Sequence, residues 1–263
     1  MVVRRRRLPP SARNPTVYLA EHPRHGDAMR ALILAAGAGT RLRHLTEKRP
    51  KCLVPIGGRP LIDHQLQALK DAGVDDIVVV VGFEAEQVRR HCPQGVTFVV
   101  NEQWATTNSI YSLYQAAEWI EGRMLLFNCD ILFDRRLLSR LVEGEGSTIA
   151  VDSRAPRLAG EMNVSVDDGG VVRAIGKHLD PAVTNAVSVQ LVAFAATGSQ
   201  LMRTELERLV DDDVRDAFPT SAYKPLIDAG GLRAVEAGDL PWAEIDSVAD
   251  YDRAEEEVAP RLD

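Results

Sequence analysis

The chain has 263 residues, of which 45% are apolar and 26% charged, with a net charge of −7. This length supports a full core without disulfides or structural metals, and the composition excludes wholesale disorder, a collagen-like chain and a disulfide scaffold. The acidic balance argues against coating nucleic acid by bulk charge, and no apolar stretch approaches the roughly 18 residues that span a membrane.

The charge is uneven along the chain. Residues 1–28 carry six arginines against Glu21 and Asp27, so the remainder is more acidic than the whole. Leu8-Pro9-Pro10-Ser11 follows the Arg4-Arg5-Arg6-Arg7 run where a signal peptide would have its apolar stretch, which rejects a secretory signal. Residues 1–28 therefore read as a disordered basic leader, either a mobile tail or a stretch ahead of a functional start at Met29, with a tail for nucleic acid or an anionic surface as the alternative, and 29–263 as one domain. Cys52, Cys92 and Cys129 form no CxxC pair, and an odd count of free thiols suits a reducing, cytoplasmic compartment.

From Arg30 the pattern becomes regular. Ala31-Leu32-Ile33-Leu34-Ala35-Ala36 predicts a strand buried on both faces, followed by a loop over 37–59. Pro60 opens a helix with Leu61, Ile62, Leu66 and Leu69 on one face, and Gly73 closes it. The pattern then predicts a strand over 76–82, a helix over 84–91, a strand over 96–100, a helix over 108–120, a strand over 124–128, a helix over 134–142 and a strand over 147–151. Repeated strand–helix–strand units imply right-handed crossovers and a mostly parallel sheet covered on both faces. Asp167-Asp168-Gly169-Gly170 marks a hairpin between 163–166 and 171–175, and a longer strand follows over 187–196. Helices near 199–210 and 222–229, a strand over 232–235 and a helix over 247–258 complete the chain. The expected fold is α/β, a Rossmann-like three-layer arrangement around a mixed, mostly parallel sheet with a small β-rich insertion.

Ligands of such sheets bind beyond the carboxyl ends of the strands. The first strand runs out into Gly37-Ala38-Gly39-Thr40-Arg41-Leu42, with Lys51 after Arg49-Pro50. Glycines let the backbone approach a polyphosphate and aim N–H groups at it, while Arg41 and Lys51 add positive charge. The P-loop pattern GxxxxGK[ST] is absent, and Leu42 breaks the dinucleotide pattern GxGxxG, which disfavours an oxidoreductase.

The whole run, from Leu32 through GxGTRL, Arg49-Pro50-Lys51-Cys52-Leu53-Val54-Pro55-Ile56 and Gly58-Arg59-Pro60-Leu61-Ile62, resembles the nucleotidyltransferase family that activates sugar 1-phosphates and related phosphate esters. The resemblance implies the nucleotide-diphospho-sugar transferase type of fold. It also implies a nucleotide site at Leu34, Ala35, Ala36, Gly37, Gly39, Thr40 and Arg41, with Lys51 against phosphate. The reaction would be in-line attack of a phosphate oxygen on the α-phosphorus with loss of pyrophosphate. Both reactants are anions, so Mg²⁺ and Lys/Arg clamps would carry most of the catalysis, and no side-chain nucleophile is needed. Leu125-Leu126-Phe127-Asn128-Cys129-Asp130 ends a buried strand on an aspartate, and Trp242-Ala243-Glu244-Ile245-Asp246-Ser247 leads into the last helix. Asp134 suits the cap of the next helix better than Asp130 does, and either Asp246 or Ser247 could cap the last helix; the resemblance extends to Asp130 and Asp246 as metal ligands, with Glu244 behind them or structural.

Thr107-Asn108-Ser109-Ile110-Tyr111-Ser112-Leu113 stands where sugar-type relatives place a Gly-rich turn. That segment looks like the phosphocholine and phosphonate cytidylyltransferase branch, which implies CTP, with Asn108, Ser109 and Gly82 near the base or ribose. An amine acceptor needs acidic or aromatic neighbours. Trp104, Tyr111, Tyr223 and Trp242 fall near loops or helix starts, and Glu161 is the acidic candidate. Lys177, after Gly176, matches a family lysine near phosphate and completes the catalytic set with Lys51 and Arg41. Asn163 and the segment 185–190 depart from the family pattern in the acceptor half. The expected activity is therefore an Mg²⁺-dependent cytidylyltransferase joining CTP to a small phosphate or phosphonate, acting as a monomer or homodimer without nucleic-acid or membrane partners. A sugar- or cyclitol-1-phosphate nucleotidyltransferase using UTP, dTTP or GTP, and a non-catalytic nucleotide-binding module, are the alternatives.

Overall fold

The computed structural model describes residues 15–18 and 28–262. Its strands are β1 (Thr16–Tyr18), β2 (Arg30–Ala35), β3 (Pro55–Ile56), β4 (Arg59–Pro60), β5 (Asp76–Val81), β6 (Val96–Val100), β7 (Met124–Asn128), β8 (Ile131–Phe133), β9 (Ser147–Asp152), β10 (Asn163–Val166), β11 (Val172–Gly176), β12 (Ala186–Phe194), β13 (Leu232–Glu236) and β14 (Trp242–Glu244). Its α-helices are α1 (Leu61–Asp71), α2 (Ala85–His91), α3 (Ser109–Gln115), α4 (Arg135–Glu143), α5 (Ala196–Asp211), α6 (Lys224–Asp228) and α7 (Val248–Arg253).

Ten strands share one mixed sheet. Its parallel core is β6-β5-β2-β7, and β1 joins β6 antiparallel. Beyond β7 the sheet turns antiparallel through β12. One edge of β12 pairs with β7 and β10, and the other with β9, which carries β13 in parallel. The hairpin β10–β11 forms the expected β-rich insertion. The fold is thus the expected mixed sheet covered by helices.

β2 shows why the central strands read as continuous apolar runs. Leu32 and Leu34 point into one apolar cluster with α3 and α5, while Ala31, Ile33 and Ala35 point into a second with α1 and α4. Each fully buried Leu or Ile contributes about 1.5–3 kcal/mol relative to exposure. A third cluster, formed by Leu42, Ile56, Leu132 and Ile245 with the C-terminal Ala254 and Val258, lies beneath the glycine loop.

Local signals set the helix ends. Gly73 closes α1 at φ 70°, and the Asp134 carboxylate caps α4 by accepting from the Arg136 N–H. Ser247 and Asp250 form a reciprocal capping box on α7. Asp246 is thereby released from capping duty.

Three expectations need amendment. The Thr16–Tyr18 strand lies inside the segment assigned to the leader, so the domain takes in part of it. An aromatic and β-branched triplet covers the edge that β6 would otherwise expose, and Arg89 stacks on the Tyr18 ring. The rest of 1–28, apart from Pro15 and Ala28, lies outside the described residues. The loop over 37–59 contains two 3₁₀ turns, Thr40–Leu45 and Lys51–Leu53, and the small hairpin β3–β4. A separate two-stranded ribbon, β8 with β14, joins two segments distant in sequence. Among the described residues no helix is long and apolar enough to cross a membrane.

Candidate active site

Parallel strands deliver their carboxyl ends to one rim of the sheet, and there the chain opens a cleft of about 340 Å³. One wall is the loop after β2. Gly39 takes the left-handed conformation (φ 62°), and a Cβ there would come within 3.0 Å of Lys51 Cβ. Glycine therefore lets the Lys51 side chain lie across the loop, and the Thr46 hydroxyl pins the turn by donating to Gly39 O at 2.9 Å. The other wall comes from Trp104, Thr107, Asn108 and Ser109 at the start of α3, and from Lys177, Gln190 and Phe218.

The ribbon β8–β14 supplies the acidic end. Glu244 pairs with Ile131, and the Ile245 N–H donates to Asp130 O at 2.9 Å, which draws Asp130 and Asp246 together. Oxygens of Asp130, Glu244 and Asp246 lie within 4.8 Å of one another. Lys51 Nζ donates to Asp130 Oδ2 and Asp246 Oδ1, each at 2.7 Å, and Arg41 Nη2 reaches Asp246 Oδ2 at 2.9 Å. The lysine is nearly buried, whereas the arginine side chain is 69% exposed, so Arg41 is free to move to a ligand while Lys51 is held.

The electrostatics follow from this clasp. Burial acts to lower the Lys51 pKa, but the charges of Asp130 and Asp246 outweigh it and hold the ammonium above its ordinary range. Burial acts to raise Asp246, but Lys51 and Arg41 outweigh it and keep the carboxyl below its usual value. Glu244 has no such cation in contact: burial, then the charges of Asp130 and Asp246, push it up to about 7. Asp130 Oδ1 is buried without a hydrogen-bond partner. Three converging carboxylates, one with an unspent buried oxygen, form a hard-oxygen donor set that fits a divalent cation.

Of the residues singled out in the sequence, Leu34, Ala36, Gly37, Gly39, Thr40, Arg41, Lys51, Trp104, Asn108, Ser109, Asp130, Lys177 and Asp246 line this cleft. Others do not. Ala35 faces the second apolar cluster. Gly82 sits behind the cleft, where a Cβ would meet Trp104 Cβ at 2.6 Å and Ala36 O at 2.7 Å, so it allows those two elements to approach. Tyr111 is core: it stacks on Tyr114, and its hydroxyl accepts from Gln103. Tyr223 is also core, edge-on to Phe194, and burial pushes its phenol well up. Helical spacing put both tyrosines inward, which proximity to loops concealed. Glu161 and Trp242 line a second cavity of about 400 Å³, which shares Glu244 and Asp246 with the first and adds Asp152 and Asp250. Trp242 Nε1 donates to Asp152 Oδ2 at 2.9 Å.

Thr107, Ser112, Asn128, Cys129, Gln190, Phe218 and Glu244 also line the cleft without having been assigned to it from the sequence. Glu244 and Asp246 stand two apart at the end of a strand, a spacing that puts both on one face. Gln190 interrupts the apolar strand β12 and closes the segment 185–190 that departs from the family pattern.

Residues 31–216 match the MobA-like NTP transferase domain. The chain belongs to that family. It is 30% identical over 247 residues to the CMP-5'-(3-aminopropyl)phosphonate synthase of Streptomyces rubellomurinus, covering 88% of this chain and 39% of that protein. It is also 30% identical over 251 residues to the choline-phosphate cytidylyltransferase of Streptococcus pneumoniae, covering 87% of this chain and 97% of the relative. The solved CTP:phosphocholine cytidylyltransferase from Streptococcus pneumoniae superposes with a TM-score of 0.74 at 26% identity, covering 87% of this chain and 98% of that one. The expected enzyme class, nucleotidyltransferase, is that of the family and of these relatives.

Proposed function

We propose that this nucleotidyltransferase is an Mg²⁺-dependent cytidylyltransferase that joins CTP to a small phosphate or phosphonate carrying an amine. The observation that carries the reading is the clasp of Lys51 by Asp130 and Asp246, set between a glycine loop and a second cavity walled by carboxylates and Trp242.

The triphosphate lies along 37–41, where backbone N–H groups and Arg41 receive its oxygens, and the base sits toward Asn108 and Ser109 with Trp104 beside it. Asp130 and Asp246, with Glu244, would hold the Mg²⁺ ion, which supplies charge neutralisation at the α-phosphate and the leaving pyrophosphate. Lys51, held on the cleft floor by its carboxylates, presents its ammonium to the phosphates. Lys177, whose Nζ lies 5.1 Å from the Phe218 ring centroid, steadies the acceptor's phosphoryl group. An acceptor oxygen then attacks the α-phosphorus in line, the new P–O bond forms, and pyrophosphate departs with the electron pair of the broken bond. No general base is required, because a phosphate monoester is largely ionised at neutral pH, with a second pKa of about 6.

The second cavity supports an amine on the acceptor. Glu161 lines it beside the Trp242 indole, a carboxylate with an aromatic face that suits an ammonium group, while the Asp152 carboxylate is engaged by Trp242 Nε1 and that of Asp250 by Ser247 and Arg253. The test is pyrophosphate release with CTP, UTP, dTTP and GTP against phosphocholine, 2-aminoethylphosphonate and glucose 1-phosphate. Release with CTP and an amine-bearing acceptor is expected. Release with glucose 1-phosphate and none with either amine compound would contradict the acceptor assignment.

A further inference from the structure

Four non-glycine residues among those described have a positive φ, and three of them lie in turns or at helix ends. The fourth, Gln190, lies inside a strand at φ 61°. An L side chain in that region carries strain, and such strain persists where surrounding structure enforces it, often at functional sites. The enforcement is visible. The pairing of β12 with β9 slips between Ser188 and Val192, and the Ser188 hydroxyl accepts from the Gln190 N–H at 2.9 Å, fixing a bulge. Val189 and Leu191 on either side are fully buried in the second apolar cluster, and Gln190 is aimed the other way, into the cleft.

The side chain is also held by one end only. Its Oε1 accepts from Asn128 Nδ2 at 2.9 Å, whereas its Nε2 is buried with no hydrogen-bond partner among the described residues. That end of the amide is directed toward the Glu244 carboxylate, at the acidic end of the cleft. With Leu34, Asn128 and Phe218, Gln190 also forms the partition between the cleft and a small apolar cavity of about 30 Å³ behind it.

We infer that Gln190 is the acceptor-selecting residue: its amide NH₂ donates to an oxygen of the acceptor's phosphate or phosphonate group, and its bulk keeps larger sugar phosphates out. The strained backbone serves to place that amide. The inference rests on the nucleotidyl-transfer reading given above and deepens it by naming what limits the acceptor.

Two variants test it. Gln190→Gly relieves the φ strain and merges the two spaces, while Gln190→Met keeps the length and loses the donor. Expected for Q190G is a melting temperature equal to or above wild type, together with a KM for the amine-bearing acceptor raised roughly 10-fold. Its kcat/KM for glucose 1-phosphate relative to that acceptor rises about 10-fold or more, in the range that a changed pocket contact produces. Q190M should raise the acceptor KM similarly while still rejecting glucose 1-phosphate, and neither variant should alter the KM for CTP. An unchanged acceptor ratio in Q190G, or a melting temperature several degrees below wild type, overturns the role of Gln190 while leaving nucleotidyl transfer intact. A wild-type protein that releases no pyrophosphate with any nucleotide or acceptor overturns the underlying reading, and this role with it.

Discussion

The two sides of the cleft are built differently. The proposed nucleotide side stands on β2, β5 and β7, parallel strands buried on both faces, and the groups proposed to face the phosphates come largely from one contiguous loop, residues 37–51. The proposed acceptor side is assembled from pieces far apart in sequence, Lys177, Gln190, Phe218 and Glu244, and meets the nucleotide side at Asp130 and Asp246, the whole joined by an antiparallel ribbon and a bulged strand. A local loop on a rigid parallel core suits a triphosphate common to many enzymes. An assembly of distant segments can change its shape without disturbing that core, so the acceptor side is where selectivity is free to vary.

The strongest way to break this comparison is at the seam between the sides. Asp130→Ala or Asp246→Ala removes a proposed metal ligand and leaves Lys51 with one carboxylate. Turnover should fall by about 10²–10³-fold or more, the scale of losing one electrostatic stabiliser, while far-ultraviolet circular dichroism stays native. A metal-dependent enzyme of near-normal rate in D130A would contradict the seam's role.

Next in size is Gly39→Val on the nucleotide side. The left-handed backbone costs a side chain about 1–2 kcal/mol, and the added atoms press on Lys51 Cβ. The KM for the nucleotide should rise about 10-fold, a loss of roughly 1.4 kcal/mol, with the acceptor KM little changed. Glu161→Ala and Trp242→Ala should do the reverse, raising the acceptor KM by a similar roughly 10-fold factor and sparing the nucleotide. Crossed effects in steady-state kinetics would show that the two sides are not separable.

The smallest effect lies outside the cleft. Burial acts to raise the Asp134 carboxyl, but hydrogen bonds from Arg136 outweigh it and hold it below the ordinary 3.8. A depressed carboxyl contributes stability that is present above its unfolded pKa and is lost as pH falls through the folded one. Asp134→Ala should therefore cost about 1–2 kcal/mol at pH 7, and denaturant titrations should show the difference shrinking once pH falls below 3.8, with catalysis unaffected.

The same contrast explains what the sequence disclosed. Residues 31–62 are contiguous, and each glycine, cation and proline there has a local reason, so the phosphate loop was legible. Asp130 was legible because a buried strand ends on it. Asp246 was legible only through the resemblance of the segment 242–246, and the structure removes its competing cap role by giving the cap to Ser247 and Asp250. Glu244 gained its place only when the ribbon paired Glu244 with Ile131, a contact between residues 113 positions apart. Tyr111 and Tyr223 misled because an aromatic near a loop serves core or cleft equally well until packing decides, and here both packed inward. Glu161 and Trp242 lie together, but in the adjoining cavity. Thr16–Tyr18 were hidden within the basic leader, since three residues are too few to show a period.

The most direct test of metal-dependent nucleotidyl transfer at this cleft is phosphorus NMR of the wild-type protein with CTP, Mg²⁺ and phosphocholine or 2-aminoethylphosphonate. The account predicts that the CTP resonances give way to those of pyrophosphate and a new cytidylyl product, and that EDTA stops the change. Unaltered CTP with both acceptors, or equal conversion in EDTA, would contradict it.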